Sequence, residues 1–98
     1  MAQVKELPRA ADPDAALRAA GLKPNPWSAG AGARFSPHSH SADKHLYVVE
    51  GSIAFDGLEL QAGEGILIPA NTTHSAVVGD RGVTCVEAFG TPGQGAQV

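Results

Sequence analysis

The chain has 98 residues, 43% of them apolar, with seven Lys and Arg against ten Asp and Glu for a net charge of −3. Its basic residues are scattered singly, which excludes the positive stripe that nucleic-acid binding needs. No stretch approaches a membrane span, and the N-terminus lacks a basic region followed by an apolar run, so neither insertion nor export is expected. The expectation is one compact cytoplasmic domain with a modest core, of a size that often gains buried area as a homodimer.

In chain order, Gln3 to Leu7 reads as an edge strand ended by Pro8. Asp12 to Gly21 reads as a short helix, with Asp12 as N-cap, Pro13 in the first turn and Gly21 as the stop. So short and Ala-rich a helix is marginal alone, so it should dock through Leu17 and Leu22. Lys23-Pro24-Asn25-Pro26 forbids further helix, and Trp27 enters the sheet. Short strands then alternate with turn signals at Glu50-Gly51, Asp56-Gly57, Ala62-Gly63, Pro69-Ala70-Asn71 and Gly79-Asp80, a rhythm that favours an all-β sandwich or barrel. Asp56-Gly57 is the strongest hairpin signal among them. Val83 to Phe89 reads as a closing strand in which Cys85, the single cysteine, is a buried inert thiol. The organisation expected is an arm and helix over residues 1–26, a barrel over 27–90 and a mobile tail over 91–98.

Two histidine groups stand out. His38 and His40 share strand parity, so in an extended strand both imidazoles face one side within reach of one ion. His74 follows Pro69 and Asn71, where a proline ends one strand and an asparagine tolerates the left-handed turn, so His74 opens the next strand and can return toward the first two. Histidines near turns are often only surface groups, yet His-x-His with a distant third suits Zn, Fe, Ni or Cu with open positions left.

The pattern Gly-x5-His-x-His from Gly32, closed by Gly51, followed by Gly-x5-Pro-x-Asn-x2-His from Gly63, resembles the two motifs of the cupin superfamily over about residues 30 to 89. The resemblance implies a single-domain jelly-roll barrel, a double-stranded β-helix, holding a divalent metal (Fe, Mn, Zn, Ni or Cu) on His38, His40 and His74. It departs from the family pattern at Lys44, where a Glu usually completes the metal shell, at Val78, where an Asn is usual, and at Asn71, where a Gly is usual.

Lys44 shares parity with His38 and His40, and an ammonium beside a divalent cation is repelled. Three arrangements are open. Lys44 snorkels to the mouth above a three-His metal; Lys44 replaces the metal and binds a ligand anion; or a bulge brings His45 inward as a fourth ligand. Otherwise Lys44 is a solvated charge paired with Asp43 or Glu50, and His45 faces outward by parity with Tyr47. Leu46, Val48, Ile53, Phe55, Ile66, Ile68 and Val86 or Cys85 should line the barrel. Arg34 and Glu87 read as surface residues near the mouth, Trp27 and Phe35 as core or dimer contacts. No nucleophilic triad is visible.

The resulting expectation is a metal-binding barrel with a small, anionic organic ligand, enzymatic as a dioxygenase or isomerase if the metal polarises a substrate oxygen. The competing expectation is a metal-free binding or sensor module centred on Lys44, with His45 beside it.

Overall fold

The computed structural model describes residues 4–90. Among the described residues, seven strands and one helix make an all-β fold: β1 (Lys5–Leu7), α1 (Pro13–Ala19), β2 (Asn25–Ala29), β3 (Arg34–His38), β4 (Lys44–Phe55), β5 (Leu58–Gln61), β6 (Gly65–Ile68) and β7 (His74–Phe89). Gln3 of the expected edge strand and the expected tail, 91–98, lie outside the described residues. No helix among the described residues is long and apolar enough to cross a membrane.

The two long strands organise the rest. The first half of β4 runs antiparallel to the last half of β7, with Lys44 opposite Phe89 and Gly51 opposite Val83. β6 and then β1 extend this block beyond β4, and β2 extends it beyond β7. The other halves of β4 and β7 pair again, Ile53 with Val78 and Phe55 with Ala76, flanked now by β5 and β3.

Between the blocks the register jumps, and two glycines permit the bend: Gly51 at φ 81° and Gly82 at φ 77°. A side chain on Gly51 would run into the Gly82 carbonyl oxygen, so the strands cross there only because Gly51 lacks a Cβ. The jump also changes which parity faces inward. Leu46 and Val48 before it, and Ile53 and Phe55 after it, share one buried cluster with Leu60, Ile66 and Ile68. The two blocks thus close over a common core as a jelly roll. The turns expected at Glu50-Gly51 and Gly79-Asp80 are corrected here: both strands bend at these positions and continue.

Local signals explain the shorter elements. The Asp12 carboxylate accepts the Ala15 N–H at 3.1 Å, Pro13 opens α1, and Gly21 follows it at φ 81°. Leu17 and Leu22 are buried with Tyr47, Val86 and Ala88 on the outer face of β4 and β7. Asp56 at φ 48° and Gly57 at φ 88° form the tight turn between β4 and β5, positive at both central residues as a twisted hairpin requires.

Candidate metal centre

His38 is the last residue of β3 and lies directly opposite His74, the first residue of β7. His40 does not belong to that strand, as parity had suggested; it sits just beyond the end of β3. What positions it is the turn before His74: the Asn71 N–H donates to the His40 carbonyl at 2.7 Å, with Asn71 at φ 62° in the left-handed region. One backbone bond therefore registers the first histidine segment against the second.

The three imidazoles offer ligating nitrogens that all lie within 4.8 Å of one another. Their tautomers follow from their partners. The Nδ1 of His74 meets the Thr72 carbonyl at 2.9 Å, and the Nδ1 of His38 meets the Ser36 carbonyl. A carbonyl only accepts, so each of these Nδ1 atoms carries a proton, and in the neutral ring the lone pair is then on Nε2. His74 is 1% exposed, and the buried Nε2 atoms of His40 and His74 have no hydrogen-bond partner among the described residues. Leaving such an atom unsatisfied costs about 1–3 kcal/mol, and a cation shared by the three rings would remove that cost. His40 titrates below its ordinary range, first because it is buried, then because Lys44, His38 and His74 repel its charged form, against an opposing pull from Glu87. Neutral imidazole is the form that ligates.

Lys44 faces the same interior, 8% exposed. Its partner is neither Asp43 nor Glu50. Asp43 accepts the Ala70 N–H at 2.8 Å, and Glu50 is exposed. The Lys44 Nζ stands 3.0 Å from Oε1 of Glu87, and the same oxygen accepts the Trp27 Nε1–H at 2.6 Å. The ammonium also lies 5.7 Å from the Trp27 ring and 5.8 Å from the Phe89 ring, within cation–π range. Glu87 and Trp27, read from the sequence as a surface residue and as a core or dimer contact, are thus partners of Lys44. Cross-strand pairing accounts for Glu87: it lies opposite Leu46, an inward residue, and opposite residues share a face.

His45 is not brought to the site. The register runs unbroken from Lys44 to Val48 against β7, so no bulge turns it inward, and its Nε2 hydrogen-bonds the Gly90 carbonyl at 3.0 Å. It is nonetheless 4% exposed rather than an open surface group. Arg34 remains exposed, and Cys85 is fully buried with its thiol pushed up to about 12 by burial.

Beside the histidines opens a cup of about 290 Å³ whose wall includes His38, His74, Lys44 and Glu87, with Trp27, Phe35 and Phe55 as its aromatic surfaces. Trp27 and Phe35 meet edge to face, their centroids 5.8 Å apart. A larger hollow of about 490 Å³ at the Gly51–Gly82 bend carries Glu50, Asp80 and Arg81 but no histidine.

The fold and this histidine constellation define a cupin. The chain belongs to the ChrR cupin-like domain family, whose pattern matches residues 27–91. Among solved structures, that of Rhodobacter sphaeroides SigE in complex with the anti-sigma ChrR aligns with a TM-score of 0.61 at 16% identity, over 88% of this chain and 43% of that one. An RmlC-like cupin from Shewanella frigidimarina aligns with a TM-score of 0.60 at 28% identity, over 79% of this chain and 71% of that one. The bacterial pirin YhhW from Escherichia coli, in complex with nickel(II), gives 0.56 at 14% identity, over 71% of this chain and 31% of that one. This chain spans less than half of the aligned chain of the SigE–ChrR complex. No curated protein matches it in sequence.

Proposed function

We propose that this cupin binds one divalent transition metal through the Nε2 atoms of His38, His40 and His74 and a small organic molecule in the adjoining cup. The observation that carries the reading is the pair of buried, unpartnered Nε2 atoms on His40 and His74, within ligating reach of the third ring. The backbone carbonyls behind His38 and His74 add support, because such outer contacts fix the tautomer and orientation of metal-ligating histidines. The nickel(II) complex of the pirin shows that a protein of similar fold takes such an ion.

Three protein donors suit a metal that keeps positions for other ligands, and a bound ion there would supply Lewis-acid polarisation of a ligand oxygen. The chain's own part is to hold the imidazoles oriented, to wall the cup with aromatic surface, and to keep Lys44 neutralised by Glu87 beside the cation. That pairing also weighs against a metal-free module centred on Lys44, since its ammonium already has a counter-ion.

Metal content by inductively coupled plasma mass spectrometry tests the reading, on untagged protein incubated with Zn, Fe, Mn, Ni and Cu salts and then desalted. Near-stoichiometric metal, lost in the His38→Ala/His74→Ala variant, is expected. Metal-free wild type, or equal metal in the variant, would sink it.

A further inference from the structure

A buried ammonium requires an anion, and inside a ligand cup that anion is ordinarily the ligand's. Here the chain provides its own. The Glu87 carboxylate lies 3.0 Å from the Lys44 ammonium and is held from a second strand by the Trp27 N–H at 2.6 Å, both on Oε1. The Lys44 and Glu87 side chains are 11% and 19% exposed, so the pair is largely removed from water.

We infer that Glu87 is a specificity-determining residue: its carboxylate fills from within the anion subsite that Lys44 would otherwise offer, so the cup selects uncharged molecules with a flat apolar body over carboxylates. This rests on the reading of the cup as an organic-ligand site, and it does not require the metal. A carboxylate ligand anchored on Lys44 must displace Glu87, breaking two charge-assisted hydrogen bonds and leaving Glu87 buried without a partner. Competition of this kind is discrimination by an unpaired buried charge. With Lys44 and Glu87 cancelling, Trp27, Phe35 and Phe55 present the surface that remains, which fits a planar apolar body.

Benzoate and its neutral near-isostere benzamide are the probes. Titrations of the full chain, by calorimetry and by the fluorescence of its single Trp27, compare wild type, Glu87→Gln and Lys44→Met/Glu87→Gln. Each protein is run with zinc and with chelator, so that carboxylate coordination to the metal is common to all. Freed from its internal partner, Lys44 should accept benzoate. The benzoate-to-benzamide affinity ratio is therefore expected to rise about tenfold or more in Glu87→Gln and to return to the wild-type value in the double variant. An unchanged ratio in Glu87→Gln, or a rise that survives the loss of Lys44, would overturn the inference.

Should Glu87→Gln not fold, Lys44→Met/Glu87→Leu decides, because it removes both charges of the pair together. Benzoate affinity close to that of wild type is expected, since a cancelled pair is replaced by an uncharged one; a loss of about tenfold would mean that Lys44 anchors carboxylates directly, against the inference. Failure of both probes to bind any of the proteins would overturn the ligand cup itself, together with the inference, while leaving the metal content to stand alone.

Discussion

Replacing His74 by leucine should separate stability from metal affinity. The ring is 1% exposed, and its Nε2 has no hydrogen-bond partner among the described residues. Leucine removes that unsatisfied atom, worth about 1–3 kcal/mol, and forfeits the 2.9 Å bond from Nδ1 to the Thr72 carbonyl, worth about 1 kcal/mol. In chelator the variant should therefore be as stable as wild type or more stable by about 1–2 kcal/mol. With free zinc at about a hundred times its Kd, wild type gains about 2.7 kcal/mol, and the variant, lacking a ligand, gains almost nothing. At about 4–8 °C per kcal/mol for a domain of this size, zinc should raise the wild-type Tm by roughly 10–20 °C and reverse the order of the two proteins. Melting curves followed by circular dichroism, with chelator and with zinc, read this directly. Equal zinc-induced shifts in the two proteins would refute the reasoning.

Gly51→Ala tests the bend: a left-handed alanine costs about 1–2 kcal/mol, and its methyl group meets the Gly82 carbonyl, so Tm should fall by at least about 10 °C, whereas a wild-type melt would contradict the crossing. The depressed pKa of His40 makes the metal-free protein acid-sensitive. Below the ordinary value of 6.5 the unfolded imidazole binds a proton before the folded one does, so stability should decline as pH falls through that value. Urea unfolding in chelator should show this loss, reduced in His40→Gln; a profile identical in both proteins would count against it. Cys85, buried and with its thiol at about 12, should resist thiol reagents at neutral pH until the protein is unfolded, and rapid labelling of the native protein would exclude that burial.

The fold was largely legible because its signals are local. Asp12 and Pro13 start the helix, Asp56-Gly57 makes the hairpin, and the glycine and proline frames around the histidines carry the cupin pattern. The bends were not legible, because a glycine that ends a strand and a glycine that lets it fold over at a crossing look alike in sequence; the difference lies in the partner, Gly82 against Gly51. Glu87 was missed for a related reason. Val83 to Phe89 shows no clean alternation, since α1 and Leu22 cover the outer face and Val86 and Ala88 are buried there as Cys85 is within. Parity with Cys85 was the signal that would have found it. His45 was separated from Lys44 by the simplest rule of strands, that neighbours face opposite sides, and the unbroken register kept it so.

X-ray absorption at the zinc edge of the loaded full chain tests the central claim most directly. The result expected is three imidazole nitrogens at about 2.0–2.1 Å with any further ligands oxygen, and loss of the imidazole signature in His38→Ala/His74→Ala. Zinc bound by fewer than two imidazoles, or with a sulfur at about 2.3 Å, would contradict it.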